Sequence, residues 1–318
     1  MKNLLKRLVP AFGPSGREHT IEGVIADLAR PYGEVFTDPL GNLIVHRPGT
    51  GKRVMVASHM DSIGLVATYI EDNGFVRFGA LGGLRLPELL GQRVRFESGA
   101  VGVVCRESSA DLKDLKVTDL YVDTLGQPVE LGESAVFWGE PTFAGDLVAS
   151  PYLDNRVGCA VALKALSLCE NTENDLYFVF TTQEEVGIRG AKTAAYTVDP
   201  QLAIAVDVCL ASDTPSPAEK TPVKLGGGPV IKYLDKSAIS HRDVIDAMLR
   251  AGQELDIPCQ KCVASAGGTD AGALHQTRGG VPTGSLGIAT RNIHTPNEIC
   301  SLTDAEQCAS LLAKVVQA

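Results

Sequence analysis

The segment Val54-Met55-Val56-Ala57-Ser58-His59-Met60-Asp61-Ser62-Ile63-Gly64 decides the fold. Val54 to Ala57 is an unbroken apolar run, the pattern of a strand covered on both faces, as parallel strands are in α/β sheets. The run leads into an imidazole and a carboxylate, His59 and Asp61, and ligands in open α/β sheets gather beyond the carboxyl ends of strands. Two further apolar runs end in the same way. Leu176–Thr181 leads to Glu184-Glu185, and Ala203–Val206 closes on Asp207. A further strand, Val281–Ile288, is predicted shortly before His294, and Asp154 immediately precedes a helix predicted from Asn155 to Cys169.

Working outward, Ser15 and Glu18 have the spacing of a capping box, ahead of Ile21, Val24, Ile25 and Leu28 at helical period. Asn42 to His46 reads as a short strand after Gly41. Between Gly64 and Ala149 the texture changes to short β segments: Leu65–Ile70, Phe75–Phe78, Arg93–Phe96, Val101–Cys105, Leu120–Val122 and Ala135–Trp138. Turn residues separate most of them and no long amphipathic helix intervenes, which predicts a small barrel or sandwich. After Pro151 the αβ rhythm returns, with helices predicted over Ser240–Leu255, opened by Ser240 and Asp243, and over Thr303–Val316. The expected architecture is α/β. Residues 1–63 and 150–318 form a helix-flanked mixed sheet, and residues 64–149 form an all-β, barrel-like insertion.

The 318 residues carry 29 Lys and Arg against 38 Asp and Glu, a net charge of -9, with no Lys/Arg run longer than two. A nucleic-acid partner is not expected, because binding a polyanion requires clustered cations. No apolar stretch approaches the ~18–20 residues that cross a bilayer, so no membrane partner is expected. The basic start, Met1 to Leu8, lacks the apolar core of a signal peptide, and a cytoplasmic location is expected. Cys159, Cys169, Cys209 and Cys308 sit in apolar runs as small core residues, and Cys259-Gln260-Lys261-Cys262 lacks the second pair that a structural zinc site needs. Reduced thiols are expected throughout.

The chemistry suggested by these clusters is that of a metal centre. Carboxylates packed together without a cation repel one another and lose hydration, whereas divalent ions accept both imidazole nitrogen and carboxylate oxygen. Two imidazoles, a bridging carboxylate and two terminal ones make a minimal dinuclear set, with one more carboxylate left over as a base.

The chain resembles the tetrahedral and glutamyl aminopeptidases, cytoplasmic exopeptidases with two metal ions. The matching segments are His59-Met60-Asp61-Ser62-Ile63-Gly64, Leu153-Asp154-Asn155-Arg156-Val157-Gly158, Glu184-Glu185-Val186-Gly187-Ile188-Arg189-Gly190-Ala191, Asp207, Gly267-Gly268-Thr269-Asp270-Ala271 and His294-Thr295-Pro296. The Gly-x-Gly-Pro stretch within Leu225–Ile231 is similar too. The resemblance implies a zinc-exopeptidase-like catalytic domain binding two divalent ions, zinc or cobalt. Asp154 would bridge them, His59 and Asp207 completing one site and Glu185 and His294 the other. Glu184 would be the general base and Asp61 would orient His59. A cis peptide is implied at Asp154–Asn155. Thr269, Asp270 and Gly228 would belong to the substrate pocket, and Arg291, near His294, is a candidate partner for acidic side chains. The β insertion would drive self-association into dimers and a dodecamer, and the substrates would be short peptides. Ser62 and Asn155 depart from the family, which commonly has Glu and often Asp there. Rival readings are an N-acyl amino acid deacylase of a related dinuclear fold and a catalytically silent scaffold.

Overall fold

A computed structural model describes residues 1–170, 172–217 and 220–318. The chain opens with helices α1 (Lys2–Leu8) and α2 (His19–Ala29), then strands β1 (Glu34–Thr37), β2 (Leu43–Arg47) and β3 (Arg53–His59). Six strands follow: β4 (Gly64–Ile70), β5 (Val76–Leu81), β6 (Arg93–Phe96), β7 (Val101–Arg106), β8 (Leu120–Asp123) and β9 (Ser134–Phe137), with one short helix, α3 (Leu86–Leu89), after β5. These six close into a barrel in the order β4-β5-β8-β7-β6-β9. The remainder is β10 (Thr142–Ala144), β11 (Leu147–Ser150), α4 (Leu153–Leu168), β12 (Asp175–Thr181), α5 (Arg189–Val198), β13 (Leu202–Leu210), β14 (Val230–Leu234), α6 (Arg242–Glu254), β15 (Gln260–Val263), α7 (Ala271–Leu274), β16 (Thr283–Arg291), β17 (Glu298–Ser301) and α8 (Leu302–Val316).

All strands outside the barrel join one eleven-stranded sheet, with the path β1-β2-β12-β3-β13-β16-β17-β11-β10 and with β14 and β15 attached at β16. At its centre β12, β3, β13 and β16 run parallel. Their apolar runs are buried on both faces. Phe178, Val56, Ile204 and Leu286 pack with α4, α6 and α8 on one side, while Met55, Val179 and Ala205 meet α5 and α7 on the other. The four parallel strands therefore deliver the segments bearing His59, Glu184-Glu185, Asp207 and His294 to the same sheet edge.

The barrel has its own core, with Leu65, Phe78, Val94, Val104 and Val122, and it is docked on the body through Phe12 and Tyr152. The Tyr152 hydroxyl donates to the Phe137 carbonyl at 3.1 Å. Strands β10 and β11 pair with each other and β11 pairs with β17, so the chain rejoins the large sheet at Thr142 rather than at residue 150. These strands are too short to carry a readable alternation, and their membership is set by pairing with β17, far away in sequence. Among the described residues, no helix is long and apolar enough to cross a membrane.

Three local expectations are corrected. Ser15 and Glu18 do not cap α2, whose N-terminus has no side-chain cap; both are drawn into the site described below. Helix α6 begins at Arg242, capped by His241, because Ser240 donates its hydroxyl to the Lys232 carbonyl instead. The helix expected from Asn155 becomes regular only after that residue, since Asp154 and Asn155 hold non-helical backbone across a cis peptide. Gly158 makes this bend possible. A Cβ there would collide with Asn155 Oδ1 and Ser58 Oγ.

Candidate metal centre

His59, at the end of β3, is fully enclosed and has both ring nitrogens engaged. Its Nδ1 lies 3.1 Å from the Asp61 carbonyl, and its Nε2 lies 3.1 Å from Asp154 Oδ1 and 3.5 Å from Asp207 Oδ1. The second oxygen of Asp154 points the other way, 3.4 Å from His294 Nε2, which is itself 3.2 Å from Glu185 Oε2. Two ligand-like clusters result, His59–Asp154–Asp207 and Asp154–Glu185–His294, sharing only Asp154. All five sequence-predicted ligands are thus brought together.

The electrostatics of this cluster favour a cation. Burial raises the Glu185 carboxyl to about 7, and the neighbouring Asp154 charge adds to the effect. Burial also pushes Glu184 well up, helped by Asp207 and Glu185. Desolvation opposes protonation of the two imidazoles, yet the surrounding carboxylates outweigh it. His59 is held well above its ordinary value and His294 is raised to about 11. Protons here substitute for missing positive charge. Glu185 Oε1 is buried without any hydrogen-bond partner, an orphaned acceptor of the kind a metal ligand leaves. The mixed imidazole–carboxylate donor set suits zinc, cobalt or manganese.

Asp61 ties the two halves of the site together. One oxygen accepts from the Glu184 N–H at 2.9 Å, and the other from the Glu185 N–H at 3.2 Å and the Ser15 hydroxyl at 2.6 Å. The same carboxylate lies 3.4 Å from His59 Nδ1. Glu18 works beside it. Its Oε1 accepts from the Gly16 N–H, the Thr182 hydroxyl and the Gln183 N–H, fixing the turn that presents Glu184. Fully buried Arg156 binds the Leu8 and Gly13 carbonyls, anchoring this N-terminal segment to the helix that follows Asp154. Sequence spacing missed Ser15 and Glu18 as site residues because the capping-box pattern explains them locally.

Glu298 was also missed. Its two oxygens accept from the Asp154 N–H at 2.7 Å and the His294 N–H at 2.8 Å, so it orients two ligands through their backbones. The only signal was an acid soon after His294. Asn155 donates to the Ser58 hydroxyl and the Val206 carbonyl and accepts from the Gly158 N–H, a set that requires the amide. Ser62 donates to the Gly13 carbonyl.

The remaining predicted residues fall differently. Asp270 is buried beside the centre, its carboxyl raised to about 7 by burial, and accepts from the Thr181 hydroxyl. Thr269 donates to Asp235. Gly228 is away from the cleft, where its N–H donates to Asp304 and Pro258 crowds it. Arg291 turns to Asp213, gripping both carboxylate oxygens at 2.8 and 2.7 Å, so its charge is already matched. The cleft over the centre holds about 580 Å³. The loop after β5 closes one side of it, and Gly83 comes so near His294 that an added Cβ would lie 2.9 Å from Nδ1.

Ser15→Ala tests the strap on Asp61. Apparent zinc affinity, read by chelator competition, is expected to fall about tenfold, the lower end of the range for partners that orient ligands. Unchanged affinity would refute the coupling.

Residues 41–311 match the M42 glutamyl aminopeptidase family model. A relative from Acetivibrio thermocellus is 43% identical over 325 residues, covering 99% of this chain and 98% of its own length. The lysyl aminopeptidase of Pyrococcus furiosus is 31% identical over 336 residues, with 99% and 96% covered. The Pyrococcus horikoshii TET1 peptidase, described as assembling into a tetrahedron or a large octahedral shell, superposes with a TM-score of 0.89 at 31% identity, covering 99% and 98%. Likeness along almost the whole chain, in sequence and in fold, leaves one conclusion: the chain belongs to the M42 glutamyl aminopeptidase family, metal-dependent hydrolases of peptide bonds.

Proposed function

We propose that this chain removes N-terminal residues from short peptides at a dinuclear centre, with Glu184 as general base. One observation carries the reading. Asp154 reaches the two imidazoles with separate oxygens, and Glu184 lines the same cleft. His59 and Asp207 would hold one ion and Glu185 and His294 the other, with Asp154 common to both. When bound, such ions polarise the scissile carbonyl and make water acidic enough to attack at neutral pH.

The protein's part is positioning and proton transfer. Among the described residues Glu184 receives no side-chain hydrogen bond, while its backbone N–H is held by Asp61, so its carboxylate is available above an anchored backbone. Glu184 takes the proton from the attacking water and gives it to the departing amine, a role that a base with a raised pKa performs well. The ions held by these residues would also take the substrate's free α-amino group as a ligand, which restricts cleavage to chain termini.

Within the segment 64–149 the barrel, Gly64 to Phe137, is assigned the assembly role, and the large sheet with its helices, which takes in β10 and β11, is the catalytic body. The barrel segment leaves Tyr69, Leu112, Leu125, Leu131 and Trp138 exposed, a concentration of apolar surface that favours self-association. Dimers and a dodecamer are the proposed forms, as the described assembly of the Pyrococcus horikoshii relative suggests.

Three outcomes check these assignments. Glu184→Gln retains both metals by elemental analysis but lowers kcat at least about 100-fold; near-normal turnover of a metal-loaded sample contradicts the base. Metal loading of the ion-free protein at pH 7 releases protons, because His59 and His294 are held protonated above neutrality and must deprotonate to donate. Affinity therefore rises with pH, and calorimetry in buffers of different ionisation enthalpy should count at least about two protons at pH 7, since Glu185, raised to about 7, is partly protonated there too; no buffer dependence refutes it. Sedimentation velocity at micromolar concentration should show a large oligomer, and a monomer would reject the assembly.

A further inference from the structure

The C-x-x-C pattern of Cys259 and Cys262 is split by the fold. Cys259 packs beside Gly252 of α6 and donates its thiol to the Ile257 carbonyl. Cys262, on β15, turns instead to Cys209 on β13, whose thiol donates to it with the two sulfurs 3.6 Å apart. All eight cysteines are thiols in this structure. In the sheet β16 and β14 lie between β13 and β15. Gly287 of β16 keeps this face clear, since an added Cβ would lie 2.9 Å from the Cys209 Cβ and 3.3 Å from the Val230 Cβ. The two cysteines join Val223, Val230, Ala264 and Ala289 in a small apolar cluster apart from the main core. Both are buried, yet both line the cleft over the metal centre, and Cys209 stands two residues beyond Asp207.

We propose that Cys209 and Cys262 form a redox-sensitive dithiol in the wall of the catalytic cleft, and that a small hydroperoxide converts them to a disulfide that lowers turnover. Peptide hydrolysis uses neither sulfur, so the inference goes beyond the function proposed above. The step balances with hydrogen peroxide as the oxidant. One sulfur, as thiolate, attacks a peroxide oxygen; the O–O bond breaks, leaving a sulfenic acid and one water. The second sulfur then displaces the hydroxyl group, the S–S bond forms and a second water departs with the remaining thiol proton. Two electrons leave the sulfur pair and reduce the peroxide. The contact with Cys262 and burial hold the Cys209 thiol well above its ordinary value, so the first attack is slow and the pair stays reduced until oxidant is abundant.

Closing the bond deforms the cleft. Bonded sulfurs stand about 2.05 Å apart, so β13 and β15 are drawn together across a gap that now separates the sulfurs by 3.6 Å. Asp207, a ligand in the proposed centre, is carried on β13. Ala264, Ala266, Gly267 and Gly268, which follow β15, line the cleft. Strand β15 pairs with β14 alone, whereas β13 is held between β3 and β16, so β15 is the strand that yields more easily. A misplacement of about 1 Å near reacting groups costs up to about 100-fold in rate.

The test uses the full-length, zinc-loaded protein, because zinc has no redox chemistry of its own. The protein is treated with excess hydrogen peroxide, its remaining thiols are alkylated, and it is digested without reductant for peptide mapping. Turnover is followed on whichever of leucyl, glutamyl and lysyl p-nitroanilide it cleaves fastest. A linked Cys209–Cys262 peptide is expected, with kcat/KM lowered about tenfold or more and restored by dithiothreitol. Cys262→Ala and Cys209→Ala, each compared with its own untreated activity, should form no such link and show no loss that dithiothreitol reverses. Absence of the linked peptide overturns the dithiol. A link without loss of turnover, or an equal reversible loss in Cys262→Ala, overturns its control of the site. The native peptide map and its matching activities stand even where a variant does not fold. Cleavage of none of the substrates by the untreated protein overturns the aminopeptidase reading instead, and the dithiol is then decided by the peptide map and by apparent zinc affinity, which the link should weaken.

Discussion

Asp154 is the constraint around which the molecule is arranged. One buried carboxylate faces His59 with one oxygen and His294 with the other, and among the described residues it alone belongs to both ligand-like clusters. Its position is determined from several directions. Glu298 receives its backbone N–H, Asn155 secures the next residue to β3 and β13, and Gly158 clears the space for that amide. A carboxylate pinned so tightly cannot relax away from its neighbours, so the charge problem must be solved by adding positive charge. Bound metal would do this where protons otherwise must.

Asp61 and the N-terminal strap extend the same logic outward. The Glu184-Glu185 backbone hangs from Asp61, and Asp61 is itself fixed by Ser15, a residue from the opposite end of the polypeptide's local order. Glu18 and Arg156 complete the link between the first turn of chain and the catalytic turn after β12. Glu184, the proposed base, is free at its carboxylate among the described residues and anchored at its backbone. That combination suits a group that must move a proton without moving itself.

The cleft is lined by His59, Asp154, Glu184, Glu185, Asp207 and His294, with Lys232 among the other lining residues. The barrel insertion enters through Gly83 and Arg85, so the element proposed for assembly also borders the cleft.

Much of this was legible in the amino-acid order. Continuous apolar runs at Val54–Ala57, Leu176–Thr181 and Ala203–Val206 identified the parallel centre, because a strand buried on both faces has no polar face to alternate. The residues following those runs pointed to candidate ligands, because parallel strands end at one edge. The six short β segments of the barrel were equally readable, since Gly, Asn and Asp turns punctuate them. What the order of residues could not decide were the long-range pairings: β11 beside β17, Ser15 on Asp61, Glu18 on Thr182 and Arg291 on Asp213. A side chain's local spacing states what it is able to bond, as the apparent capping box did for Ser15 and Glu18. Which partner it takes depends on what the fold places within about 3 Å, and a hydrogen bond is too short-ranged to be written in sequence distance.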